Sequence, residues 1–397
     1  MQQAPPIVIA GAGIGGLACA IALANIAQTV HVLEQRRDFS ENGAGIQIGP
    51  NGVHALRLLG VDQLLDPLVA EPDEIRIFDG ISGQPVTALP LKGHTQTRFG
   101  APYWVARRAD LHAALLQKAR ADPRISMTTD REITNVEDRG NTVTVTDRRG
   151  KKTTGHALVG ADGVWSAVAV RALSAPRPLF AAKIAARALV AAADCTAPFR
   201  DTITGLWMGP RSHLVHYPVA GGALINFVAV VEDTAGAPSR REAWSMPKSG
   251  ADLAKQFAGW SPAVVRQLRG IEHWQAWPLV ARAPLPAWSK GRVTLLGDAA
   301  HPVLPFLAQG GVLALEDALA LAAAVQTSPG DLGQAFVAYE RARKPRTTRV
   351  ARASMANGRV YHLTGALAGA RNLMLRAAPP DWLLRRYDWL YGYRPPE

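Results

Sequence analysis

The chain has 397 residues, of which 48% are hydrophobic and 19% charged, enough apolar material for a large core and more than one domain. Two cysteines, Cys19 and Cys195, make neither a disulfide framework nor a metal cluster and suit a reducing compartment. The net charge of +12 comes with no zinc-finger or RNA-binding signature, so it points to anionic small molecules and not to nucleic acid.

The first unit is PIVIAGAGIGGLACAIALANIAQTVHVLEQ, residues 6–35. IVIA reads as a short apolar strand, LACAIALA as a helix of small residues, and VHVLE as a second strand ending on Glu34. Between strand and helix, Gly11, Gly13 and Gly16 have the G-x-G-x-x-G spacing. Gly11 permits a tight turn, Gly13 lets the backbone approach a pyrophosphate, and Gly16 lets helix and strand pack closely. The helix N-terminus offers unpaired N–H groups to phosphates, and Glu34 can accept hydrogen bonds from ribose hydroxyls. The unit predicts a bound adenine dinucleotide, with NAD and FAD both open. The start MQQAPPIVIAG lacks a signal-peptide pattern, and no apolar run of about 18 residues is free of charge. A cytoplasmic protein without a membrane partner is expected.

Further on, EIRIFDGISGQPVTALPL, within residues 74–98, reads as strand material that joins a later sheet. HALVGADGVWSAV (156–168) is a strand feeding a turn with Asp162, then a helix start with Ser166. Residues 177–285 contain AAKIAARALVAAAD, TITGLWMG, SHLVHYPV and ALINFVAVVE, which predict an antiparallel sheet. A period of two along SHLVHYPV puts His213, Val215 and Tyr217 on one face, and Leu214 and His216 on the other. GRVTLLGDAAHPVLPFLAQGGVLALEDALALAAAV (291–325) reads as a buried strand, a turn carrying Asp298, and a long helix opened by Gly310 and Gly311. A carboxylate closing an apolar strand needs hydrogen-bond donors. Residues after 330 look helical, and Arg346, Arg349 and Arg352 recur as on a solvated helix face.

The glycine loop, the ADG segment and GDAAHP, in this order, resemble the single-component FAD-dependent aromatic hydroxylases related to p-hydroxybenzoate hydroxylase. Within that family the chain is most similar in look to salicylate, 3-hydroxybenzoate and 6-hydroxynicotinate monooxygenases, over nearly its whole length. RRADLHAALL (107–116) and the terminal YDWLYGYRP extend the likeness. The resemblance implies an α/β fold: a Rossmann-type FAD-binding domain (1–73, 99–176 and 286–345) interleaved with an antiparallel β-sheet substrate domain (74–98 and 177–285), then a helical C-terminal region (346–397). It implies FAD as cofactor, with Asp298 accepting from ribityl hydroxyls and Gly310 and Gly311 against the isoalloxazine edge. Asp162 is the second fingerprint, and Arg108 is the pyrophosphate arginine. One position departs from the pattern: where the family usually has Arg after the Ser, this chain has Ala169, with the next Arg at Arg171. No second GxGxxG unit is present, so NAD(P)H is expected to bind transiently over the flavin.

On the substrate side the resemblance gives His213 and Tyr217 the task of orienting a substrate and helping to remove its phenolic proton, and puts Gln47 facing flavin and pocket. His216 and His301 are expected to be structural. Phe306 makes the pocket more apolar, Arg187 and Arg211 are candidates for a substrate carboxylate against a surface alternative, and Trp104, Trp207 and Phe227 are candidates for an aromatic slot against core packing. The implied reaction uses NAD(P)H and O2 to hydroxylate a small hydroxylated aromatic or heteroaromatic acid through a flavin C4a-hydroperoxide, with no metal. The alternatives are a monooxygenase or epoxidase of a larger natural product, or a flavin-binding reductase or redox module. The sequence leaves oligomeric state open, a homodimer included.

Overall fold

Ile7–Ala10, Val30–Leu33, Ala157–Gly160 and Val293–Leu295 form strands because both faces of each are covered, which a near-continuous apolar run of this length satisfies. The computed structural model describes residues 5–39, 44–233 and 246–396. In it these four strands join Ile125–Thr128 and Ser289–Lys290 in one six-stranded sheet. Its order is Ser289–Lys290, Val293–Leu295, Ala157–Gly160, Ile7–Ala10, Val30–Leu33, Ile125–Thr128. All neighbours are parallel except the first pair. That order has a functional consequence. Parallel strands end at the same edge, so the loops after Val293–Leu295, Ala157–Gly160, Ile7–Ala10 and Val30–Leu33 meet there. Those four loops carry GDAAHP, ADG, the glycine loop and Glu34.

Ile14–Asn25 packs against the sheet and against Gly310–Thr327. Both helices are apolar nearly all round and are interior helices for that reason. Burial of Leu17 and Leu23 contributes about 1.5–3 kcal/mol each. Among the described residues Gly310–Thr327 is the one helix long and apolar enough to cross a membrane, and most of it is buried inside the protein.

A second sheet of eight strands has the order Met246–Lys248, Trp274–Ala281, Leu179–Ala191, Leu224–Glu232, Ser212–Val219, Thr204–Gly209, Glu74–Asp79, Pro85–Pro90. It is antiparallel except where Glu74–Asp79 runs parallel to Thr204–Gly209. Trp274–Ala281 was not among the segments expected to be strands. Its Pro278 hides the pattern, and it pairs with Ile184 where the register shifts, a place that tolerates a missing N–H. The far face of this sheet carries Leu214, Trp207 and Phe227 under helices Gly250–Lys255 and Pro262–Gly270. The near face looks onto the first sheet's domain and the C-terminal helices. The helix Leu332–Tyr361 runs unbroken across residue 345.

The helix face expected to be solvated is only partly so. Arg349 and Arg352 are exposed. Arg346 instead reaches inward to Glu316 at 2.7 Å and lies over the Tyr393 ring, 3.8 Å from its centroid. Glu316 is fully buried on the neighbouring helix, so the repeat of arginines at every third position cannot reveal that one of them is an interior ion-pair partner.

Candidate active site

The glycine loop is built tightly. Gly11 has φ +98°, and a Cβ there would meet the Ala161 carbonyl oxygen at 2.6 Å; a Cβ on Gly16 would lie 1.9 Å from the Gly11 carbonyl oxygen. Gly13 differs: apart from its two chain neighbours, no protein atom lies within 4 Å of where its Cβ would be. It opens on a hollow of about 180 Å³ whose wall includes Glu34, Arg108, His112 and Asp162. Glu34 is buried, and its carboxylate accepts from the Ala12 N–H at 2.7 Å and the Arg36 N–H at 2.9 Å. It therefore fixes the loop as well as facing the hollow. Arg108 opens the helix Arg108–Arg120, and one turn on His112 bonds the Ala12 carbonyl at 2.7 Å. His112 was not singled out from sequence; its spacing of four from Arg108 was the available signal.

Asp162 accepts from the Ser166 hydroxyl at 2.5 Å and the Val168 N–H at 3.1 Å. Burial raises its pKa, and these donors oppose the rise. Ser166 in turn caps the helix Ala167–Leu173 by accepting from the Ala169 N–H. Ala169 is fully buried, and Arg171 sits on the exposed side of that helix, away from the hollow.

Asp298 stands just beyond the end of the strand Val293–Leu295. It lies in a short 3₁₀ turn, Gly297–Ala299, and its side chain is open to solvent. The setting is concave: surrounding protein raises its pKa, while the charges of Arg108, His301 and Arg282 lower it. An open carboxylate ringed by protein and positive charge is suited to accepting ligand hydroxyls. Gly310 lies beside Asp298, whereas a Cβ on Gly311 would meet Ile46 at 2.8 Å, so Gly311 serves packing against the strand Gly45–Ile48. The helix these glycines open has neither a side-chain cap nor an acidic residue in its first turn, which leaves N–H groups and dipole for a ligand.

That helix is anchored from below. His301 bonds Asp317 at 2.6 Å, Arg343 bridges Asp317 and Glu316 at 2.7 Å each, and Asn51 donates to Glu316 and to Gln309 at the helix start. Burial works to raise the Asp317 pKa, but His301 and Arg343 hold it at about 2. Arg282 ties the two motif loops together, donating to the Ala299 carbonyl at 2.9 Å and the Val164 carbonyl at 2.7 Å. Arg343 and Arg282 were missed, because nothing local in the sequence marks an arginine as an interior brace.

A second, larger cavity of about 460 Å³ lies between the near face of the eight-stranded sheet and the C-terminal helices. Gln47, His213, Phe306 and Tyr361 line it. His213 is buried and its Nδ1 lies 2.8 Å from His362 Nε2. Burial first, then His362 and Lys183, hold the His213 pKa well below the usual histidine value, so the ring is neutral. Gln47 accepts from the Tyr103 hydroxyl at 2.7 Å. Tyr217 is on the same sheet face as His213 but is buried beyond the cavity wall, against Gly45; burial raises its pKa, opposed by Arg187 and by a hydrogen bond with Gln47. Tyr217 thus reaches the cavity through Gln47.

His216 is on the far face, accepting from the Trp207 indole N–H at 3.1 Å. Trp207 stacks on Phe78 and Phe199, and Phe227 joins that core; Trp104 lies in the first domain's core. None of the three forms an aromatic slot. Arg187 is not on the surface: it is half-buried on the near face with its guanidinium 5.4 Å from the Trp277 ring centroid. Arg211 is exposed in a turn, and the cationic side chains on the cavity wall are Arg371 and Arg386. The turn Pro305–Leu307 lines this cavity three residues before the flavin-motif helix begins at Gly310, so the two sites adjoin.

Comparison with known proteins identifies the family. Residues 5–354 match the family model described as an FAD binding domain. The 3-hydroxybenzoate 6-hydroxylase of Klebsiella oxytoca is 35% identical over 99% of this chain and 98% of its own. The 6-hydroxynicotinate 3-monooxygenase of Bordetella bronchiseptica is 33% identical over 90% of this chain and 92% of its own. The structure of Klebsiella pneumoniae HpxO complexed with FAD and uric acid has a TM-score of 0.82 at 25% identity, covering 96% of this chain and 95% of that one. With its glycine loop, Glu34, Asp162 and Asp298 gathered at one sheet edge, the chain belongs to the single-component FAD-dependent aromatic hydroxylases.

Proposed function

We propose that the protein is an NAD(P)H- and O2-dependent FAD monooxygenase that hydroxylates a small hydroxylated aromatic or heteroaromatic acid. The observation that carries this reading is the cavity beside the flavin-motif helix: apolar over most of its wall, with a neutral buried histidine and with Arg371 and Arg386 among its lining residues. An aromatic ring would be held by apolar contact, and its carboxylate would be favoured by the positive side chains. Gly11, Gly13, Gly16, Glu34 and Arg108 would hold the dinucleotide portion of FAD. Asp298 would accept from ribityl hydroxyls, and the N-terminus at Gly310 would favour negative charge on the reduced ring. Bound FAD would supply the redox and oxygen chemistry.

The chain's own part is positional and protonic. His213, uncharged before substrate enters, is able to accept the phenolic proton and leave a more nucleophilic ring. Gln47, held by Tyr103 and Tyr217, would orient the ring between flavin and histidine. The mostly apolar wall, Phe306 included, would disfavour water at the reacting carbon.

The outer end of the cavity continues between helices Gly365–Ala377 and Pro380–Arg385, where Met374 and Leu383 line it. This favours, as a second reading, an aromatic acid carrying an apolar extension. Anaerobic stopped-flow reduction by NADH and by NADPH tests both, with salicylate, hydroxybenzoates, hydroxynicotinates and their alkyl-extended analogues. A monooxygenase of this type bleaches faster with its own substrate and yields a hydroxylated product when O2 is admitted. Failure of every nucleotide to reduce the flavin, with or without an acid, would remove the oxygenase reading.

A further inference from the structure

We propose that His213 and His362 act as a two-imidazole proton relay, carrying the substrate's hydroxyl proton from the buried, His213 end of the cavity to solvent at the end of the long C-terminal helix. The inference rests on the proposed function and adds a residue and a route to it.

His213 Nδ1 and His362 Nε2 are 2.8 Å apart, a hydrogen bond with one proton between two nitrogens. His213 is buried, with the Phe306 and Tyr361 ring centroids at 5.4 and 5.5 Å, and lines the cavity beside them. His362 directly follows the helix Leu332–Tyr361 and is half-buried. Its position is fixed from two sides. Arg371 donates to the Val360 and Tyr361 carbonyls, tying down the last turn before it. The hairpin turn at Arg211 approaches its carbonyl at 3.5 Å. The charged groups facing the pair are Lys183, Glu232 and Arg371, with Lys183 and Glu232 paired at 3.1 Å at the partly exposed outer side.

This arrangement answers a difficulty in the one-histidine account. Burial and nearby positive charge make His213 a poor place to keep a proton, and the same influences bring His362 down to about 4. An isolated imidazole of that kind would accept a phenolic proton only at high cost. Coupled transfer avoids a lasting buried charge. The substrate O–H bond breaks as a bond forms to His213 Nε2. The Nδ1–H bond of His213 breaks as one forms to His362 Nε2, and His362 Nδ1 releases its proton to solvent. No electrons change hands, and one proton leaves per hydroxyl ionised. A proton returning inward by the same route restores both tautomers.

The test uses the FAD-loaded enzyme with salicylate, 3-hydroxybenzoate and 6-hydroxynicotinate as probes. Ionisation of the bound acid is followed by its near-ultraviolet absorption, and proton release by an indicator dye. His362→Phe removes the second imidazole. His362→Gln keeps a hydrogen-bonding group for His213 but cannot accept at one atom and release at another. The relay predicts that both variants bind the acid within about threefold of wild type yet ionise it at least about tenfold more slowly, a modest share of what acid–base groups contribute. Added imidazole should restore part of the rate to His362→Phe. If His362→Gln ionises the acid as fast as wild type, His362 only positions His213 and the relay is overturned; equal rates in His362→Phe overturn it as well. Should none of the three acids bind or ionise in the wild-type enzyme, the substrate reading itself fails, an outcome distinct from a normal wild type with unaffected variants.

Discussion

Gly13 and Gly16 sit three residues apart in one loop, and the structure gives them opposite sensitivities to a single methyl group. At Gly16 the added Cβ would stand 1.9 Å from the Gly11 carbonyl oxygen, where real contacts stay beyond 3.0 Å. Helix and loop must therefore separate by about 1 Å or more. Overpacking of this kind costs about 1–3 kcal/mol in the folded protein even before a ligand is considered. At Gly13 the Cβ meets no protein atom within 4 Å beyond its two chain neighbours. Its φ of −72° is open to any residue, and the gain in chain stiffness roughly offsets alanine's poorer capping. Gly13→Ala should leave the flavin-free protein within about 0.5 kcal/mol of wild type. The same Cβ projects into the hollow where a pyrophosphate would approach the backbone. Losing one or two charge-assisted hydrogen bonds there weakens FAD by about 10- to 100-fold, or roughly 1.4–2.7 kcal/mol. Urea unfolding of the flavin-free variants and quenching of FAD fluorescence on titration separate the two effects. The account of the loop is refuted if Gly13→Ala binds FAD as wild type does, or if it destabilises the flavin-free protein as much as Gly16→Ala.

Other consequences follow from the site's surroundings. Asp317 has its pKa held at about 2 in the folded protein against 3.8 ordinarily, so its contribution to stability is complete above about pH 4 and disappears as pH falls toward 2. Urea midpoints for wild type should fall through that window, and Asp317→Asn should be weaker at pH 6 and flatter below pH 4. His216→Leu should leave the Trp207 indole N–H unsatisfied and cost about 1–3 kcal/mol by urea unfolding while leaving acid binding unchanged. His213→Asn should do the reverse, slowing turnover by about 100-fold or more with little loss of stability. Placing the family's usual arginine by Ala169→Arg should prevent stable folding, by more than about 4 kcal/mol on expression and melting, because residue 169 is wholly enclosed by the first domain's core.

How far the sequence could be read depends on whether a signal was local. The glycine loop, Asp162 and Asp298 each follow a strand within a few residues, and adjacent parallel strands bring their C-terminal ends to one edge, so chain-order motifs become a single site. The alternation along Ser212–Val219 likewise separated His213 from His216, because a strand has only two faces and each was already assigned by its apolar neighbours. The same rule could not say which residues on the near face reach the cavity. His213 does, while Tyr217, four positions along on the same face, is covered by the strand Gly45–Ile48 from a different part of the chain. Charged residues were the hardest to read. Arg346 looks like a solvent-facing residue from its periodicity and is an interior partner of Glu316; Arg343 and Arg282 carry no local mark at all. Each is identified by a partner 17 to 30 residues away or farther. His362 belongs to the same class. It sits 149 residues from His213, and only the packing of the C-terminal helix over the sheet makes them neighbours. The cofactor site was therefore legible because the fold repeats one device, strand then loop, at a shared edge. The cavity proposed for the substrate was not, because it forms where the end of the helix Leu332–Tyr361 and the helices after it close over a sheet inserted earlier in the chain.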